Sequence, residues 1–121
     1  MQVLIVQSRA ELGELWKRHL IRLGMQVTLC QNQATATAHL AQNNVDIILL
    51  DLVLSEGAAL AVADYANYRH PKARVIFVSS SSFFTDGSIF AHAANARAFV
   101  PTGTPPDDLA AMIEHYGNEV T

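Results

Sequence analysis

Five short apolar runs, separated by segments with helical spacing, constrain the fold of this 121-residue chain more than any other feature. The first, third and fourth runs are continuously apolar, as in strands covered on both faces of a sheet. The second run alternates more and the fifth is followed directly by proline, so we expect these two at the edges. The runs cover residues 3–6, 25–30, 46–50, 74–78 and 97–100.

Helical periodicity fills the intervals between these runs. Ser8 and Glu11 have the spacing of a capping box at the start of the first helix, and Gly24 follows its end. Thr104 is placed to cap the last helix, with Pro105 at its first position. The predicted helical segments cover residues 12–23, 34–41, 59–66, about 86–95 and 105–116.

Strands that alternate with helices predict a parallel sheet covered on both faces. We therefore expect an α/β, flavodoxin-like, doubly wound fold: a five-stranded parallel sheet of order 2-1-3-4-5 with five helices in three α/β/α layers. The length fits one domain and no linker or repeat is visible, so residues 1–121 are expected to form a single domain. The site of such a fold lies at the carboxyl ends of the central strands.

Composition excludes several classes of protein. The formal net charge of −3 gives no support for direct contact with nucleic acid. Cys30 is the one cysteine, which rules out an intramolecular disulfide and a cysteine-based zinc site. The longest apolar run is interrupted by Asp46 and Asp51 and is too short to span a bilayer. We expect a cytoplasmic protein without a membrane partner and without a metal site built on its scattered histidines.

Asp51 directly follows the third apolar run, and Ser79 ends the fourth. A buried carboxylate without a partner is costly, so the open end of a central strand is the simplest position for Asp51. The serines at 79–82 precede a predicted helix and could bind an anion there. A flavodoxin-like binder of a small molecule or nucleotide is therefore one alternative, disfavoured because no glycine-rich loop follows the first run.

The whole chain resembles the receiver domain of two-component response regulators. The resemblance rests on the length, the element order, Asp51 after the third strand, and the residues FV and PPDDL at the start of the last helix. It implies a signalling module, not an enzyme, whose partners are a histidine kinase, a phosphotransfer protein or an output domain. In that family, two acidic residues after strand one hold Mg²⁺, and the strand-three Asp accepts a phosphoryl group. A hydroxyl residue ends strand four, and a Lys-Pro pair follows an aromatic on strand five.

The match to that pattern is partial. Asp51 falls on the phosphoacceptor position, Ser79 on the strand-four hydroxyl and Phe99 on the aromatic switch. Where the family has its acidic pair and its Lys-Pro pair, this chain has other residues: Gln7, Ser8, Thr102 and Gly103.

These departures weaken the chemistry that the resemblance implies. Mg²⁺ prefers anionic oxygen ligands, and the missing Lys removes a cation that neutralises charge during phosphoryl transfer. The leading interpretation is a pseudo-receiver that acts by protein–protein interaction, with no cofactor and without ordinary Mg²⁺-dependent phosphorylation. The alternative within the same class is a genuine phosphoacceptor that is phosphorylated at Asp51 with degraded efficiency.

Three smaller expectations complete the sequence interpretation. The Arg9 guanidinium either pairs with Asp51 as a substitute cation or points into solvent. Phe83 and Phe84 are candidate interface residues. They precede the predicted fourth helix, which with the fifth strand and fifth helix forms the family's common partner face and a candidate homodimer surface. The peptide bond after Thr102 is expected to be trans, because no proline follows it.

Overall fold

The computed structural model describes residues 1–80 and 93–118 of the chain. Five parallel strands form one sheet in the order β2-β1-β3-β4-β5. This is the predicted order, and the second and fifth runs are its edges as expected. The strands are β1 (Gln2–Val6), β2 (Gln26–Cys30), β3 (Ile47–Asp51), β4 (Arg74–Ser79) and β5 (Ala96–Pro101).

Helices cover both faces of this sheet. Those in the described part of the chain are α1 (Ala10–Arg22), α2 (Gln33–Gln42), α3 (Ala59–Arg69) and α4 (Pro106–Gly117). The helix predicted at about 86–95 falls mainly on residues 81–92, outside the described residues, and the described residues 93–95 are not helical. No helix within the described ranges is long and apolar enough to cross a membrane.

The core consists of two apolar layers, one on each face of the sheet. On one face α2 and α3 pack on β1, β3 and β4, with Leu40 and Val62 fully buried. On the other face α1 and α4 pack on the same strands, with Trp16 and Ile113 at the centre. Every residue of β3 and β4 is buried, as their continuously apolar sequence predicts. The carboxyl edge of these central strands is thereby held on a rigid scaffold.

Two predicted helix caps are wrong, and both hydroxyls are used elsewhere. The N-cap of α1 is Arg9, which has no side-chain cap hydrogen bond. Thr104 donates its hydroxyl to the carbonyl of Pro101 at 2.7 Å, and α4 begins at Pro106 instead of Pro105. Ser8 lies before the cap position of α1, so its hydroxyl is free to make contacts between loops.

Candidate functional site

Asp51 is the last residue of β3 and is only 6% exposed. Its Oδ1 accepts a hydrogen bond from the backbone N–H of Val53 at 2.9 Å. The intervening N–H, that of Leu52, donates to the carbonyl of Val78 on β4 at 2.8 Å. The strand pairing thus continues just past Asp51 and turns the carboxylate toward the carboxyl edge of the sheet. The predicted position of Asp51 at the open end of a central strand is confirmed.

Gln7 supplies the side-chain partner of this carboxylate. It directly follows β1, is fully buried, and donates from Nε2 to Oδ2 of Asp51 at 2.8 Å. Its Oε1 accepts the backbone N–H of Arg9 at 3.0 Å. A flipped amide would put oxygen against the carboxylate and NH₂ against that N–H, so the orientation is fixed by its two partners. A neutral amide therefore solvates the Asp51 carboxylate.

Ser8 joins three loops at the same edge of the sheet. Its hydroxyl donates to the carbonyl of Gln31, after β2, at 2.6 Å. The same oxygen accepts the backbone N–H of Ser55, after β3, at 2.9 Å. The hydroxyl thus donates one hydrogen bond and accepts another within the chain. Ser8, which the resemblance places at an acidic position of the family, connects loops in this structure.

Gln33 provides a second connection between the loops and was not among the site residues predicted from the sequence. Its backbone N–H donates to the Glu56 carbonyl at 3.3 Å, and its Oε1 accepts the N–H of Ala58 at 2.9 Å. Between these two contacts lies Gly57 with φ of +89°, where a Cβ would come within 2.3 Å of Gln33 Cβ. The glycine was the only signal in the sequence for this close approach. The loop after Asp51 is therefore held at Ser55 and again at 56–58.

The ends of β4 and β5 complete the edge. Ser79 is 2% exposed and lies opposite Pro101 in the strand register. The N–H of Thr102 donates to the carbonyl of Ser79 at 3.0 Å, which ties the segment after β5 to β4. Phe99 is partly buried against the α2–α3 side of the core. The described chain has no cis peptide bond, which confirms the trans bond between Thr102 and Gly103.

The predicted pairing of Arg9 with Asp51 is not formed in this structure. Within the described ranges no ion pair joins the two residues, and Arg9 is exposed at the N-cap of α1. What Arg9 contributes to the site is its backbone N–H, which fixes the Gln7 amide. The candidate interface residues, Phe83 and Phe84, lie outside the described residues.

One titratable group beside the site has a shifted pKa. Burial raises the pKa of the Cys30 thiol, and a hydrogen bond with Thr35 opposes that rise. Cys30 ends β2, and its carbonyl accepts the backbone N–H of Gln7 at 2.9 Å. The raised pKa favours the neutral thiol at the edge of the site.

Comparisons with known proteins identify the class of signalling domain to which this chain belongs. A family model for the response regulator receiver domain matches residues 3–114. The chain belongs to this family, as its sequence pattern predicted.

Similar proteins include both regulators and isolated receiver domains. Response regulator protein PilR of Pseudomonas aeruginosa is 29% identical over 113 residues, covering 93% of this chain and 24% of PilR. The chain thus spans about a quarter of the length of that relative.

Solved structures share the fold at lower identity. A CheY-like receiver domain protein from Methanospirillum hungatei superposes with a TM-score of 0.88 at 19% identity, covering 97% of this chain and 93% of that one. Response regulator protein TrrA from Thermotoga maritima, solved in complex with Mg²⁺ and BeF, gives 0.82 at 20% identity, covering 95% and 97%. At such identities the likeness establishes the fold only.

Receiver domains typically bind Mg²⁺ at the phosphorylation site, but the residues of this chain do not fit that ion. No group of three or more His, Cys, Asp or Glu side chains is arranged for a metal among residues 1–80 and 93–118. Gln7 presents an NH₂ group, not an oxygen, to Asp51, and its oxygen is held by a backbone N–H. The Ser8 hydroxyl is engaged on both sides. Among the described side chains joined in this hydrogen-bond network, Asp51 is the one carboxylate, and neither Gln7 nor Ser8 has an oxygen left to complete an octahedral Mg²⁺ site beside it.

Proposed function

We propose that this chain is an atypical receiver domain of a two-component system that signals through protein contacts without ordinary Mg²⁺-dependent phosphorylation. The observation that supports this most directly is the hydrogen bond from the Gln7 amide to the Asp51 carboxylate. In this proposal the amide takes the role of the cation, because it satisfies the buried carboxylate with fixed N–H groups. Asp51 then serves to hold the edge of the sheet together.

The loss of phosphotransfer follows from the charges at the site. The attacking carboxylate and the transferred group are both anionic, so catalysis depends on cations placed around the equatorial oxygens. Gln7 and Ser8 bring no charge, and Thr102 stands where the family has Lys. Removing one preorganised electrostatic contact costs on the order of 10²-fold in rate. With both the metal ligands and the Lys absent, we expect phosphorylation to be too slow to carry a signal.

Hydrogen bonds hold the loop after Asp51 in place. This supports signalling through a surface whose shape does not depend on phosphorylation. Ser8 holds the N–H of Ser55, and Gln33 holds both Glu56 and Ala58. Val53, two residues beyond Asp51 and two before Ser55, is 67% exposed. The partners proposed for this surface are a histidine kinase, a phosphotransfer protein or an output domain. A homodimer through the predicted fourth helix, β5 and α4 stays a prediction, because residues 81–92 lie outside the described chain.

The test is Mg²⁺ binding measured by titration calorimetry on the wild type and on Gln7→Asp/Ser8→Asp. The double variant restores the family's acidic pair beside Asp51 and should bind Mg²⁺ with an affinity at least tenfold above the wild type. Gln7→Asp alone is the second variant, because it leaves the Ser8 connections intact. Wild-type binding at micromolar Mg²⁺ that Asp51→Asn abolishes would contradict the proposal.

A second candidate function keeps phosphotransfer at Asp51 at a reduced rate. The observation that favours it is the carboxylate itself, which ends β3 at the position that the resemblance assigns to the phosphoacceptor and has the oxygen nucleophile that phosphoryl transfer needs. The two candidates differ in one product, a phosphorylated Asp51, which intact mass measurement after incubation with acetyl phosphate and Mg²⁺ detects.

A further inference from the structure

The solvent-facing side of α1 carries an unusual pattern of charged and apolar residues. At about 100° per residue, six exposed residues fall within an arc of about 120°. The buried residues Gly13, Trp16 and Leu20 lie on the opposite side of the helix. We call the six residues the outer face of α1: Glu11, Glu14, Leu15, Arg18, Ile21 and Arg22.

The charges of the outer face are separated by sign. Glu11 and Glu14 lie in its first half, Arg18 and Arg22 in its second half. In the part of the chain that the structure describes, none of the four joins an ion pair. Neighbours three or four positions apart on a helix interact, so Glu11 and Glu14 repel each other, as do Arg18 and Arg22, whereas Glu14 and Arg18 attract each other. Glu11 and Arg22, at the two ends of the face, have only like-charged neighbours on it, so their charges are available to a partner.

The helix dipole explains the order of these charges, since acids are favoured at the N-terminus and bases at the C-terminus. It does not explain the aliphatic side chains on the same face. Leu15 is 46% exposed and Ile21 is 48% exposed. Apolar side chains surrounded by unpaired charges are typical of the centre and rim of a small interface.

We propose that the outer face of α1 binds the same face of a second copy of this chain, with the two helices antiparallel. A two-fold axis near residues 15–18 brings the acidic half of each helix opposite the basic half of the other, as an isologous interface requires. In that register Glu11 faces Arg22 of the second copy, and Glu14 faces Arg18. Leu15 packs against Leu15 of the second copy beside the axis. Charge complementarity thus specifies the same chain as the partner.

The size of the face sets the strength of the association. One exposed helix face buries far less than the roughly 1,600 Å² of a standard interface, so the dimer should be weak and transient. Exposed ion pairs at its rim are screened over about 8 Å at physiological salt. We therefore expect a dissociation constant in the high micromolar range, rising at least threefold between low and high salt.

The decisive experiment uses two charge-reversed variants of the full chain in sedimentation equilibrium. Glu11→Arg/Glu14→Arg makes the face wholly basic, and Arg18→Glu/Arg22→Glu makes it wholly acidic. Each variant alone should raise the dissociation constant at least tenfold, whereas an equimolar mixture should form heterodimers tighter than the wild-type dimer. A wild type that stays monomeric up to millimolar concentration, or a mixture that does not associate, would overturn the proposal. Circular dichroism verifies that both variants are folded.

A matched pair of single substitutions separates this face from any other dimer surface. Leu15→Glu should abolish dimerisation, whereas Tyr68→Glu on α3, which is 80% exposed in the wild type, should leave it unchanged. Both replace an exposed apolar side chain on a helix surface and preserve the core. A dimer that survives Leu15→Glu would place the interface elsewhere and reject the proposal.

Discussion

Replacing Gln7 with leucine tests whether the buried carboxylate depends on the amide. The substitution keeps a side chain of similar volume at a fully buried position but removes both polar contacts. Asp51 then loses its 2.8 Å donor, and the N–H of Arg9 loses its acceptor. The fold should persist, since the strands on either side are unchanged.

The expected cost follows from these two contacts. A hydrogen bond to a charged group contributes about 1.5–3 kcal/mol, and an ordinary one about 1 kcal/mol. Gln7→Leu should therefore lower the free energy of unfolding by about 2–4 kcal/mol, a large share of the roughly 5–15 kcal/mol of a small domain. Gln42→Leu, at the exposed end of α2, is the control and should change it by less than about 0.5 kcal/mol.

The assay is urea unfolding followed by the fluorescence of Trp16, the one tryptophan, which is 2% exposed. A double-mutant cycle with Asp51→Ala isolates the contact between the two side chains. We expect a coupling energy of about 1.5–3 kcal/mol between Gln7 and Asp51. A coupling below about 0.5 kcal/mol would refute the claim that the amide replaces a cation at this carboxylate.

Three further predictions concern the rest of the chain. Gly57→Ala should lower the free energy of unfolding by at least about 1–2 kcal/mol, because φ is +89° and the added Cβ clashes with Gln33 of α2. Gly103→Ala, where the added Cβ meets open space, should have little effect in the same urea assay. Burial raises the pKa of Cys30, so iodoacetamide at neutral pH should alkylate the native thiol at least tenfold more slowly than in urea. Burial, and secondly a neighbouring histidine, lower the pKa of His39 below its ordinary 6.5. The folded chain then binds that proton less well than the unfolded chain, so stability should fall as the pH drops below 6.5, and less so in His39→Gln.

The sheet could be predicted from the sequence because each strand is marked by residues that are adjacent in the chain. Continuous apolar runs mark strands covered on both faces, and all residues of β3 and β4 are indeed buried. The carboxylate of Asp51 at the end of such a run predicted the edge that holds the site. These inferences need only the spacing of apolar residues along the chain and the free-energy cost of burying polar groups.

The hydrogen bonds of the site were not predictable in the same way, because they join residues far apart in the chain. Ser8 was expected to cap α1, but its hydroxyl forms hydrogen bonds with Gln31 and Ser55 instead. A serine caps a helix only where no tertiary partner competes for its hydroxyl. Arg9 was considered as the partner of Asp51 because of its charge. Instead, the Gln7 side chain, which is shorter than that of Arg9 and is aligned with Asp51 by the strand register, donates the hydrogen bond to the carboxylate.

Intact mass measurement after incubation with acetyl phosphate and Mg²⁺ shows whether Asp51 accepts a phosphoryl group. The wild type should gain no phosphoryl group under conditions in which a receiver domain with the complete acidic pair is modified, and Gln7→Asp/Ser8→Asp should gain one at Asp51. A wild-type adduct of one phosphoryl group that Asp51→Asn removes would refute the proposed function and establish this chain as a working phosphoacceptor.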